Sequence, residues 1–327
     1  MFRSPAVLLA AALLAAAAVP ARAADGPNPL AAVVRVKTIV LPDARTAPYL
    51  GDERDGSGVV IGNDGLILTI GYLVLEADSV QVTDAGGKTH AANVVAYDHA
   101  TGFGLVRTVT PLAAPAVEMG DATNLKERDD VLIAGYGGPD AATRAMVVSR
   151  RPFTGSWEYL LENAIFTAPP AGNWGGAALI GKDGKLLGIG SLLVPDAIEP
   201  GYRFPGNMFV PIDVLKPILA ELTREGKRAG PPRAWLGLST EEVGGRLVVV
   251  RVAPEGPAAK AGIGRNDIVI AIDGEPVTTH AELYRKLWAK GAAGVSVTLK
   301  VLQGAALNDV AVKSMDRADY LRTKRAL

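Results

Sequence analysis

No cysteine occurs anywhere in the 327 residues. That absence excludes a thiol nucleophile, a thiolate metal site and any disulfide. The chain must therefore stabilise itself by burying apolar surface, and about 300 residues are ample for two cores. Histidine is scarce as well, with only His90, His99 and His280 present. Neither sign of charge dominates, since 34 basic residues face 34 acidic ones. A nucleic-acid partner, which favours a basic stripe, is disfavoured by that balance.

Long apolar runs are missing too, apart from the first. Arg3 precedes an unbroken apolar stretch from Ala6 to Val19, followed by Pro20 and the small-residue pattern Ala21-Arg22-Ala23. Fourteen residues fall short of the roughly 20 that a membrane-crossing helix needs. A basic start and an A-x-A end read instead as a secretory signal over residues 1–23, cut after Ala23. The expected mature chain is exported to the periplasm, has no membrane span, and carries 32 basic against 34 acidic residues, a net charge of −2.

Along that mature chain, short β-rich runs alternate with Gly, Asp and Asn turns: GSGVVIGNDGLILTI (56–70), DSVQVTDAGGKTHAANVVAYD (78–98), DVLIAGYGG (130–138) and KLLGIGSLLV (185–194). Strands at this spacing predict a mainly β architecture. PIDVLKPILAELTREGK (211–227) predicts a helix, with apolar residues at 212, 215, 218, 219 and 222. RAGPPRA (228–234) then reads as a Gly/Pro linker. Beyond it lies a smaller unit of strands with two helical segments, one opening on the capping box Thr279-His280-Ala281-Glu282. The turns GNDG and GKDGK lack the Asp-x-Asp-x-Asp-Gly ligand spacing of a calcium loop, and no Lys-Ser/Thr follows GYGG. No metal or other cofactor is expected.

Five segments in order resemble the trypsin-like domain of the HtrA (Deg) periplasmic serine proteases. They are GSGVVIGNDGLILT, AYDHATGFGLV, GDATNLKERDDVLIAGYGG, AGNWGGAALIGKDGKLLGIGS and MFVPIDVLKPILAEL. AWLGL and APEGPAAKAGIGRNDIVIAIDGEPV resemble the PDZ domain that follows in that family. The resemblance implies a trypsin-like double β-barrel over residues 24–227, a linker at 228–233, a small α+β PDZ domain at 234–315 and a tail at 316–327. It also implies a serine nucleophile, a histidine base and an orienting aspartate in fixed frames. The serine frame holds Trp174, inside the vestigial oxyanion loop Gly172-Asn173-Trp174. The histidine frame holds Tyr72, and the aspartate frame holds Gly102.

An indole has no nucleophilic atom, a phenol with a pKa near ~10 is a poor base at neutral pH, and glycine has no side chain. The expectation drawn from this is that the chain is not an enzyme. It would be an exported pseudoprotease that binds proteins or peptides as an adaptor, with the indole lying across the old cleft and shutting it. The alternative is a serine-type endopeptidase of periplasmic protein quality control that uses other residues. A third reading has the PDZ groove occupied by the chain itself or by a neighbour. Peptide binding is expected of Trp235, Leu236, Gly237, Leu238, His280, Tyr284 and Leu287, because PDZ loops of this kind hold a terminal carboxylate on main-chain N–H groups. Expected partners are the C-termini of exported proteins or peptides, with an active protease or a second copy of the chain as further candidates. His90 is expected to face solvent, His280 to be a solvated residue at a helix start, and Asp98 to serve a turn.

Overall fold

In the computed structural model the described residues are 28–323. The expected signal segment, residues 1–23, lies outside them. Two closed six-stranded barrels and one open sheet account for most of the chain. The first barrel comprises β1 (Val33–Val40), β2 (Glu53–Val60), β3 (Leu66–Ile70), β4 (Ala77–Thr83), β5 (Thr89–Tyr97) and β6 (Phe103–Thr108), with a one-turn helix α1 (Ala47–Leu50) between β1 and β2. The second comprises β7 (Asp130–Ala134), β8 (Ala142–Gly155), β9 (Tyr159–Ala168), β10 (Ala178–Ile180), β11 (Leu186–Val194) and β12 (Gly206–Pro211). The strand order is the same in both: β1-β2-β3-β6-β5-β4 and β7-β8-β9-β12-β11-β10. The sequence shows no repeat, so this shared topology is visible only in space.

Alternation of side chains drives both closures. Val34 and Val36 of β1 and Val80 and Val82 of β4 point inward and are almost fully buried, while Arg35 and Lys37 face out and pair with Asp55 and Glu53. The interior of the second barrel is filled by Phe209, Ile133, Ile165 and Leu179. His90 does not face solvent. It sits opposite Val82 on the inward side of β5, is 3% exposed, and lies between Thr110 Oγ1 at 2.9 Å and Asp84 Oδ2 at 3.4 Å.

The helix expected over 211–227 is shorter than its apolar stripe. A 3₁₀ turn at Ile212–Val214 is followed by α2 (Leu219–Glu225). Pro217 lies between them, and proline removes an N–H donor and disfavours helical backbone in the residue before it. Ile212, Leu215, Ile218 and Leu222 are nevertheless all buried, as the stripe requires.

The remaining unit is a sheet of order β13-β14-β15-β17-β18, with β16 paired to β15. Its strands are β13 (Leu238–Val243), β14 (Arg246–Val252), β15 (Ile268–Ile272), β16 (Glu275–Pro276), β17 (Ser296–Gln303) and β18 (Ala306–Lys313). Three helices belong to this part of the chain: α3 (Pro257–Lys260), α4 (His280–Lys290) and α5 (Arg317–Tyr320). The capping box at Thr279 and Glu282 forms at the start of α4, as the sequence predicts. Tyr320 of α5 is buried with its ring 4.8 Å from that of Trp235.

Arg54 ties the first barrel to the turn after β3. Its guanidinium is buried and donates to the carbonyls of Tyr72 and Leu75 and to Thr46 Oγ1. Replacing it by alanine strands buried acceptors, which costs about 2–4 kcal/mol. Urea denaturation of Arg54→Ala is expected to show a loss of that size, and a loss below about 1 kcal/mol would mean that water takes over the guanidinium's role.

Candidate functional site

Two sites converge from the sequence: a cleft between the barrels, and the groove of the C-terminal sheet. At the cleft, the turn Gly71–Leu73 carries Tyr72 out of β3. The N–H of Gly71 donates to the carbonyl of Gly102 at 2.7 Å, so positions 72 and 102 are held side by side. The loop 171–176 approaches from the second barrel. Its Gly175 carbonyl accepts from the Ser57 N–H at 2.8 Å, and Tyr72 Oη donates across to the Ser191 carbonyl at 2.9 Å.

Glycine at 176 and 190 is a packing requirement of this loop. A Cβ on Gly176 would stand 1.9 Å from the Ser57 carbonyl oxygen, and one on Gly190 would stand 2.0 Å from that of Trp174. The loop is therefore set by backbone against backbone. Trp174 itself is only half-buried, and a cavity of about 620 Å³ remains, bordered by Tyr72, Tyr136, Asn173, Trp174 and Gly175. The indole borders this open cavity and does not shut the cleft as expected.

Burial pushes the Tyr72 phenol well above its usual range, so at neutral pH it is a hydrogen-bond donor and not a base. His99 is half-buried and lies away from the cleft cavity, against Tyr97 and Arg317. Burial, with the Arg317 and Arg233 charges, holds it well below the ordinary histidine value, so it accepts as a neutral ring. Asp98 serves its turn as expected, taking bonds from the N–H and hydroxyl of Thr101, and it also pairs with Arg228. Among the described residues no three His, Asp or Glu side chains come together as a metal site would need.

The second site is occupied. The main-chain N–H groups of Leu236, Gly237 and Leu238 all donate to the carboxyl of Glu158, at 2.9, 2.7 and 2.9 Å. Glu158 belongs to the second barrel, at the tip of the hairpin that joins β8 to β9, where its φ of 61° lets the chain double back. Beside it, the Thr240 N–H of edge strand β13 donates to the Ser156 carbonyl at 3.3 Å. Tyr284 of α4 donates its hydroxyl to the Gly155 carbonyl at 2.8 Å and accepts from the Glu158 N–H at 3.2 Å. Leu160 is buried in the apolar cluster formed by Leu236, Leu238, Leu283 and Leu287.

Of the residues expected to bind peptide, Leu236, Gly237, Leu238, Tyr284 and Leu287 thus surround this hairpin. Trp235 turns elsewhere, pairing its backbone with Met315 and laying its ring on Tyr320. His280 is not solvated. It is 8% exposed, with Nε2 at 2.8 Å from the Thr240 carbonyl, a contact that places the proton on Nε2, and with Nδ1 at 3.1 Å from Glu242. Sequence reasoning missed Glu158 and Leu160 entirely. The only local cue was an acidic residue set between two aromatics, Trp157 and Tyr159.

Burial raises the Glu158 carboxyl to about 7, although the three N–H donations and the Arg317 charge pull it down. Tyr284, the other titratable group against it, stays neutral because its own burial pushes the phenol far up. A folded value above the ordinary 4.5 means the folded state holds this proton more tightly than the unfolded chain does. The contribution to stability is complete below about 4.5 and is lost as pH rises through about 7. The stability of the wild-type chain relative to Glu158→Gln is expected to fall by about 3 kcal/mol at most between pH 4.5 and 8. Urea midpoints across that range measure it, and a difference that stays flat would contradict the assignment.

Comparison with known proteins agrees with this geometry. The profile of the trypsin-like peptidase domain matches residues 56–189, and that of the PDZ domain matches residues 234–314. A probable periplasmic serine endoprotease, DegP-like, of Pseudomonas putida strain W619 is 29% identical over 243 residues, covering 70% of this chain and 49% of the relative. A putative serine protease HhoA of Synechocystis is 28% identical over 319 residues, covering 83% and 77%. This chain spans about half the length of the DegP-like relatives it matches. Among solved structures, the HtrA-type protease AlgW with a decapeptide superposes with a TM-score of 0.53 at 19% identity, over 91% of this chain and 98% of that one, a likeness of fold. The relatives are named serine endoproteases, and this overturns the expectation that the chain is not an enzyme. Two matched domains in the expected order, on a double barrel and an open sheet, show that the chain joins a trypsin-like peptidase domain to a PDZ domain, as its similarity to the HtrA/Deg proteases implies.

Proposed function

We propose that this protein handles polypeptides in the periplasm, capturing free C-termini on its PDZ unit. The observation that carries this reading is the convergence of the Leu236, Gly237 and Leu238 N–H groups on one carboxyl. Three donors in a row form a nest for a carboxylate, and the edge strand β13 beside them can pair with an extended peptide. Leucines 236, 238, 283 and 287 belong to the apolar cluster next to the nest, where a ligand's apolar side chain would take the place of Leu160. The preferred ligand therefore ends in a free carboxylate and an apolar residue.

The names of the relatives favour a second reading, serine-type endopeptidase action in periplasmic protein quality control. The open cavity of about 620 Å³ between the barrels is the structural feature that supports it, since an extended substrate needs such a cleft. Tyr72, Gly102 and Trp174 provide no nucleophile and base, so cleavage on this reading uses other residues.

One preparation of residues 24–327 tests both readings. Random octapeptides ending in leucine or valine are titrated as free acids and as C-terminal amides, with binding of the acids expected at micromolar strength or weaker, and about tenfold weaker again for the amides. Equal binding of acid and amide would overturn the C-terminus reading. The same protein is incubated with unfolded casein. Fragments that accumulate with time and persist in Trp174→Ala support the endopeptidase reading, and casein that stays intact counts against it.

A further inference from the structure

The PDZ nest holds a carboxyl that belongs to the same chain. Every feature by which an outside C-terminus would be recognised has a counterpart in the β8–β9 hairpin. Glu158 supplies the carboxyl on three N–H groups. Leu160 supplies an apolar side chain in the leucine pocket. Ser156 supplies the carbonyl that accepts from the edge strand at Thr240. Tyr284 closes the groove from the helix side through Gly155 and Glu158.

We infer that the hairpin Gly155–Leu160 is a tethered ligand of the PDZ groove, which an outside C-terminus must displace in order to bind. The inference rests on the reading of the groove as a C-terminus site, and it adds that the site is closed by default. Two physical arguments support it. Three adjacent N–H groups buried without an acceptor would be costly, so the nest needs some carboxyl or water at all times. A ligand on the same chain also competes at an effective concentration that free peptides rarely reach. Apparent affinity for outsiders is then reduced by the fraction of molecules whose groove is open.

Ion pairs at the margin join the PDZ unit to the barrels without entering the nest, one of them on the hairpin's own strand. Arg285 of α4 grips Glu162 of β9 at 2.7 Å, and Arg45 of the first barrel grips Glu255 at 2.7 Å. Both acidic partners are exposed, so these contacts contribute little energy compared with the buried carboxyl.

The test uses full-length mature protein in three forms: wild type, Glu158→Gln and Leu160→Ala. The first variant keeps the shape of the side chain and removes its charge, and the second leaves the carboxyl untouched, so a folding defect in one does not silence the other. Binding of fluorescein-labelled octapeptides with a C-terminal leucine is read by anisotropy, as free acid and as amide. Hydrogen exchange at the amides of 236–238 is read in parallel. The expected result is that both variants bind the acid peptide at least about tenfold more tightly than wild type, with no gain for the amide. Exchange at 236–238 is expected to be faster in Glu158→Gln and slowed again by added peptide. If wild type and both variants bind the acid peptide equally, the hairpin is no competitor and the inference falls, while the C-terminus reading survives. If no form binds peptide and exchange still accelerates in both variants, the hairpin does fill the nest and the C-terminus reading falls instead.

Discussion

The relation between the second barrel and the PDZ unit turns on one buried carboxyl. Glu158 is 4% exposed, and it satisfies three consecutive N–H groups of a different unit, almost 80 residues further along the chain. Hydrogen bonds to charged acceptors contribute more than neutral ones, but only where the loss of solvation is offset by several donors. Here burial wins by enough to lift the carboxyl toward neutrality. The hairpin's backbone adds the contacts to the helix tyrosine and the edge strand, so moving the hairpin would leave both of them, as well as the nest, short of a partner.

The cleft follows a different logic. It is organised by main chain, through Ser57 against Gly175, Gly176 against Gly190 and Gly71 against Gly102. Side chains are almost incidental to that framework, which is why a tryptophan at 174 and a tyrosine at 72 fit it without closing it. The aspartate frame shows the same thing from the other side. Gly102 has φ +80° and faces the ring of Tyr159, so its backbone conformation favours glycine and an added side chain would meet an aromatic neighbour.

Much of the fold was legible because it is written in local patterns. Alternation gave the strands, the turns gave their spacing, and Thr279 with Glu282 marked the start of α4 at the residue where it begins. What failed were statements about burial and partners that depend on distant residues. His90 looked solvated in a polar run, yet the register β4 to β5 turns it inward onto Asp84 and Thr110. His280 looked like an exposed helix start until β13 brought Thr240 and Glu242 to it. The 211–227 stripe predicted burial correctly and helix length incorrectly, because periodicity does not register what Pro217 does to the backbone. Of the candidate site, the groove loop and its helix could be named from the sequence, but the hairpin that fills them could not. Its contacts span about 80 to 130 residues, and an acidic residue between two aromatics is the one local cue to them.

Leu160 is a strand residue of the second barrel and at the same time a member of the PDZ core. A side chain counted in two cores couples their melting. Loss of barrel structure at β9 would withdraw apolar filling from the cluster that includes Leu236 and Leu287, and loss of the PDZ would expose Leu160 on the barrel. Such sharing makes local opening of either unit more expensive than it would be alone and draws the two toward a single cooperative transition.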